Sequence, residues 1–244
     1  VTSPMETGVH LLSTATSPDE AARGARVAVL PVGSFEQHGG HLPLITDTVI
    51  ACLIANRIAE HYDLFLLPPI TVSCSHEHED FPGTVSISAA TLIAMVDDIR
   101  SSLRRSGVTK LILVNGHGGN YVLSNIAQQA NVDEPSVALF PGRDDWTRAR
   151  DAAGAVLNAH QDMHAGEIET SLLLHAHPEL VGDGYQDADH RADDRAHLLV
   201  TGVNAYSGNG VIGQPSAASA AKGELALDSL VAACDEHLRA LDER

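Results

Sequence analysis

The stretch Val27-Ala28-Val29-Leu30-Pro31-Val32, running through Gly33-Ser34-Phe35 into Glu36-Gln37-His38, decides the fold. A short apolar run closed by glycine reads as a strand buried on both faces, as in parallel sheets. In an extended backbone, residues i and i+2 project from the same side. Glu36 and His38 therefore aim at one point beyond the strand's carboxyl end, where open α/β sheets bind ligands. Asp47 follows nine residues later. A carboxylate, an imidazole and a second carboxylate in one place suit zinc, manganese or iron. Glu-x-His is also a common pair and loop histidines are often merely solvated, so spacing alone leaves both readings open.

The pattern recurs further along. Residues 110–114 form a second buried run that ends in Asn115-Gly116-His117-Gly118-Gly119-Asn120. Three glycines let backbone approach a ligand beside His117, and a following helix start favours anions. The loop lacks the Lys-Ser/Thr of a P-loop, and a simple chain reversal is the plain alternative. Residues 64–67, stopped by Pro68-Pro69, and 136–140 read as further strands. Helical spacing appears at 47–62, 88–107, from about Tyr121, at 166–176 and at 217–241. In 88–107, Ser88 is the expected N-cap and Leu92, Met95, Val96 and Ile99 the buried stripe. In 217–241 the expected apolar face holds Leu225, Leu227, Leu230, Val231, Cys234, Leu238 and Leu241. This alternation predicts an α/β fold with a mostly parallel sheet covered on both faces. Residues 182–213 break the pattern and read as a loop excursion.

Two more clusters carry ionisable groups. In Asp162-Met163-His164-Ala165-Gly166-Glu167-Ile168-Glu169, a helix starting near Gly166 sends Glu167 and Glu169 about 200° apart. At most one then faces a site, while the other meets solvent or stabilises the helix start. The segment His76-Glu77-His78-Glu79-Asp80 reads as a loop over the pocket, with His78 in contact with substrate or supporting it.

Composition narrows the class. At 244 residues, 44% of them hydrophobic, the chain is expected to form one domain over 1–244, with 1–24 as an N-terminal extension. Fifteen basic against 32 acidic residues give a net charge of −17, which argues against nucleic acid and anionic membranes as partners. No apolar run reaches the roughly 18–20 residues of a membrane span, and residues 1–19 lack signal-peptide features. Cys52, Cys74 and Cys234 show no pairing or metal spacing, so free buried thiols and a cytoplasmic location are expected.

Taken together, 31–39, Leu42-Pro43-Leu44 with Thr46-Asp47-Thr48, Phe81-Pro82-Gly83-Thr84, the 115–120 loop and His164-Ala165-Gly166 with Glu169-Thr170-Ser171 resemble the creatininase (creatinine amidohydrolase) family. The Gly210 to Gly213 turn and the segment 219–224 resemble its C-terminal element. The resemblance implies a three-layer αβα fold and two divalent metal ions per chain, zinc first, then manganese or iron. It places Glu36 on one metal, His38 on the other, Asp47 between them and His117 on the first. His164 would shuttle the proton. In creatininases proper a glutamate two residues after the loop histidine binds metal, and here that position is Gly119. Glu169 is the preferred replacement, with Glu167 or water as alternatives. Gly118, Gly119, Asn120 and His78 would contact substrate.

The implied activity is hydrolysis of a small cyclic or linear amide C–N bond. The NGHGGN loop resembles the broader branch, which includes formamide deformylases and the mycofactocin-maturation peptidase, more than creatininase proper. A homo-oligomer, hexameric by resemblance, is also implied. Two other classes stay open: a transferase using the Gly118-Gly119 loop, and a non-catalytic metal-stabilised binding protein.

Overall fold

The computed structural model describes residues 12–242. Among them, β1 (Val27–Val32), β2 (Phe65–Leu66), β3 (Lys110–Asn115) and β4 (Val137–Phe140) form an all-parallel sheet in the order β2-β1-β3-β4. β1 and β3 pair from Val27 with Lys110 to Val32 with Asn115. Their carboxyl ends, and the loops carrying Glu36 and His117, therefore lie side by side. The chain leaves β1 toward one edge and β3 toward the other, which makes this the topological switch point where such sheets bind ligands. Pro31 is tolerated here. Its carbonyl accepts the Ile70 N–H at 2.9 Å, and the donor it lacks would face the same flank, where Pro68-Pro69 interrupts the partner.

The helices are α1 (Ser17–Arg23), α2 (Thr46–Tyr62), α3 (Ala89–Arg105), α4 (Val122–Ala130), α5 (Arg143–Ala153), α6 (Glu167–Ala176), α7 (Leu198–Thr201) and α8 (Ala220–Asp242). Strand alternation sends Val29, Ile112, Val114 and Phe140 to one face, packed with α2, α5, α6 and α8. Ala28, Leu30, Leu111 and Leu113 go to the other face, under α3 and α4. This is a three-layer α/β fold. α2 lies at its centre, with Ile50, Ile54 and Ile58 almost wholly buried. Each such side chain contributes about 1.5–3 kcal/mol.

Several sequence expectations need correction. Ser88 does cap α3, its hydroxyl accepting the Thr91 N–H at 3.2 Å. The buried stripe, however, is Leu92, Val96 and Leu103, with Met95 at its exposed margin. Leu225 is 50% exposed, because it lies about 160° around α8 from Leu227. The 182–213 excursion contains short helical turns, including α7. α5 was not anticipated. Of the 1–24 extension, residues 1–11 lie outside the described residues, and the remainder holds α1, capped by Thr16. Cys52, Cys74 and Cys234 are free and buried. Among the described residues no helix is long and apolar enough to cross a membrane.

Candidate metal centre

The β1 loop brings Glu36 and His38 to the switch point, the first turn of α2 brings Asp47, and the β3 loop brings His117. Gly116 makes the approach close: a Cβ there would overlap the Asp47 carbonyl oxygen. α6 delivers Glu169, the segment before it His164, and the turn 76–78 His78. Six of these seven are buried, and Glu169 is half-buried.

The Asp47 carboxylate splits two ways. Its Oδ1 lies 3.0 Å from His38 Nε2 and its Oδ2 lies 3.2 Å from His117 Nδ1. Glu36 Oε1 is 3.1 Å from the same His117 nitrogen. His117 Nε2 donates to the Cys74 carbonyl at 3.0 Å, which turns Nδ1 toward the two carboxylates. Glu36 Oε1 and Asp47 Oδ2 are buried and make no hydrogen bond among the described residues. Two buried carboxylate oxygens without a hydrogen-bond partner and an imidazole nitrogen facing them suit a divalent cation, which would take the place of a proton on Nδ1. Donor atoms lie within 4.8 Å of one another in the groups Glu36–Asp47–His117 and His38–His164–Glu169, and in Glu36–His78–His164.

A family model for creatinine amidohydrolase matches residues 13–238. The chain belongs to the creatininase family. It is 35% identical, over 87% of its length and 84% of the relative's, to the mycofactocin precursor peptide peptidase of Mycolicibacterium smegmatis. It is 28% identical to creatinine amidohydrolase of Pseudomonas putida, over 89% and 90% of the two chains. A crystal structure of creatinine amidohydrolase superposes with a TM-score of 0.80 at 27% identity, covering 95% and 97%. Like its family, the chain is a hydrolase acting on carbon–nitrogen bonds.

Electrostatics within this creatininase-type site are strongly coupled to burial. Burial works against the His38 imidazolium, but Asp47, Glu169 and Glu36 outweigh it and lift its pKa to about 9. Burial also opposes the Asp47 carboxylate, yet His38 and His117 hold it well below the usual carboxylate range. Burial raises Glu36 and takes Glu169 up to about 7. Burial, reinforced by His117, lowers His78 to about 3, and burial with His38 and His78 lowers His164 well below its ordinary value.

The two α6 carboxylates take different positions. Glu169 lies with His38 and His164, and its Oε2 accepts the Ala165 N–H at 2.6 Å. Glu167 points the other way, pairing with Lys222 and accepting the Val156 N–H at 2.8 Å. Gly118, Gly119, His78, His117, His164 and Glu169 line a cavity of about 140 Å³. Asn120 is not in this lining. Its carbonyl accepts the Cys74 N–H at 3.2 Å and its NH₂ donates to Asn115 at 3.1 Å, so it ties loops together behind the site.

Three further residues enter the site: Gln37 and Asp162, to which the sequence alone assigns no role, and Glu77, which belongs to the segment expected over the pocket. Gln37 bonds to His78 and His164. Glu77 approaches His117 Nε2 at 3.5 Å. Asp162 caps α6 through the Glu167 N–H at 2.7 Å and pairs with Arg150 at 2.9 Å. Asp162 heads the His164–Glu169 segment and sits four residues before the helix-start glycine, so its capping position was visible in the spacing. A second, largely apolar cavity of about 360 Å³ adjoins the first, sharing Glu77, Gly119, Tyr121 and Leu198.

Proposed function

We propose that this chain is a two-metal amidohydrolase in which Asp47 is shared between the ions. The split of its carboxylate between His38 and His117 carries the proposal. Glu36 and His117 complete one donor set, and His38 and Glu169 the other. Zinc, manganese or iron bound there would acidify water and polarise an amide carbonyl. His164 accepts a proton and returns it to the leaving nitrogen. Gly118 and Gly119 border the same cavity and offer backbone N–H groups to the carbonyl oxygen.

The adjoining cavities favour a substrate whose scissile amide ends a longer molecule with an apolar group beyond it. A small ring would leave the 360 Å³ cavity unused. This supports a peptidase activity of the kind named for the mycobacterial relative over creatinine opening. The test combines elemental analysis with turnover of short peptides ending in apolar residues, of formamides and of creatinine, in Zn²⁺, Mn²⁺ and Fe²⁺. Two divalent ions per chain and metal-dependent peptide cleavage are expected. Full turnover in chelator-treated protein would sink the reading.

A further inference from the structure

Gln37 lies between the two candidate metal ligands Glu36 and His38 in the chain. The amide lands between two imidazoles of the same cavity. Its orientation is fixed by backbone at both ends: Oε1 accepts the Gly39 N–H at 2.9 Å, and Nε2 donates to the Gly210 carbonyl at 3.1 Å. Turning the amide over would set two oxygens and two N–H groups against each other. One N–H of Nε2 is then left.

Two ring nitrogens lie within its reach, His78 Nδ1 at 2.9 Å and His164 Nε2 at 3.0 Å. The His164 nitrogen also sits 2.7 Å from the Gln37 backbone carbonyl, which accepts only from an N–H. His164 Nε2 is therefore a donor, and the remaining amide N–H goes to His78 Nδ1. An imidazole that accepts at Nδ1 carries its proton on Nε2. The structure assigns Gln37 the role of fixing the ring tautomers of His78 and His164, so that His78 shows the cavity an N–H donor and His164 a bare nitrogen. His78 Nε2 lies 3.5 Å and His164 Nδ1 3.7 Å from Glu36 Oε1, so both free ring atoms face the metal-side carboxylate.

The consequence is a division of labour between rings of one residue type. His164 Nδ1 is free to accept a proton. His78 Nε2–H can donate a hydrogen bond to a carbonyl oxygen but cannot ligate a metal, although His78 sits in one of the donor groups. Gln37 is thus a positioning residue acting through both. The chemical use of the two tautomers rests on the hydrolase reading above; the hydrogen-bond pattern does not.

The test is ¹⁵N NMR of histidine-labelled full-length protein, metal-free and zinc-loaded, reading which ring nitrogen carries the proton. Wild type is expected to show His78 protonated on Nε2 alone and His164 Nδ1 without a proton. In Gln37→Glu the new carboxylate accepts from His78 Nδ1–H, so the His78 proton moves to Nδ1. Turnover then falls about 10²–10³-fold, the loss of one oxyanion donor, with metal content unchanged. His78→Ala should keep full metal content. A wild-type His78 protonated on Nδ1 overturns the assignment, even if Gln37→Glu fails to fold. Wild-type protein that binds no metal yet shows these tautomers would instead remove the hydrolase reading and leave Gln37's role standing.

Discussion

The Glu77 carboxylate occupies the space that a side chain at Gly119 would need: a Cβ on Gly119 would overlap both Glu77 Oε1 and His117 Nε2. Burial opposes the Glu77 carboxylate, but His117 outweighs it and keeps the group below its ordinary value, so a negative charge sits behind the His117 ring. A glutamate at 119 therefore cannot be added while Glu77 stays in place. Gly119→Glu is expected to weaken zinc binding about 10–100-fold, the usual effect of disturbing a group that orients a metal-binding histidine. Glu77→Gly with Gly119→Glu should recover part of that loss. Competition with a chromophoric chelator measures both, and wild-type affinity in the single variant would refute the steric argument.

Because Asp47 faces both His38 and His117, its removal should differ in kind from theirs. Asp47→Ala is expected to leave no tightly bound ion, whereas His38→Ala and His117→Ala each retain about one. Inductively coupled plasma analysis of gel-filtered protein counts them. Equal loss in all three variants would mean that the sites do not share a carboxylate.

How much of the fold and site was legible in the chain depended on whether the signal was local. β1 and β3 announce themselves as continuous apolar runs, and the polar residues that close them mark the strands' carboxyl ends, while the switch point follows only from the strand order. Glu36, His38, Asp47, His117 and His164 could be placed because each follows a strand end or a motif. The i and i+2 rule that paired Glu36 with His38 gave Gln37 no role, and nothing local says that His78 and His164 fold back to meet it. Helical spacing separated Glu167 from Glu169 without saying which one faced the sheet, since that depends on where α8 places Lys222. α5 was hidden because Arg143-Asp144-Asp145-Trp146-Thr147-Arg148 is mostly charged, and only Trp146, Ala149 and Ala153 carry its apolar face.

Asp162 joins stability to the site. It is buried, and its Oδ1 accepts the Glu167 N–H at 2.7 Å and the Gln214 N–H at 3.0 Å while Oδ2 holds Arg150. Asp162→Ala leaves a largely buried guanidinium without its partner and the first turn of α6 uncapped. The expected destabilisation is about 3–5 kcal/mol by urea unfolding. Glu169 rides on that turn, so zinc affinity should fall as well. Destabilisation with unchanged affinity would show that the cap does not position Glu169.

The pH response should reverse with metal. In metal-free protein His38 keeps its proton to about 9, against an ordinary 6.5, and His117 is shifted in the same direction, Glu36 and Asp47 outweighing its burial. Between pH 6.5 and 9 the folded state then binds more protons than the unfolded chain. The contribution of these groups is complete below about 6.5 and is lost as pH rises through 9, at up to about 1.4 kcal/mol per pH unit for each proton. His78 and His164, whose values are lowered, act below 6.5, outside this window. Bound metal takes the place of these protons, and its affinity grows as they leave. Melting temperature is thus expected to fall from pH 6.5 to 9 in chelator-treated protein and to rise over the same range in zinc-loaded protein. Parallel slopes in the two forms would mean that His38 and His117 do not meet the metal.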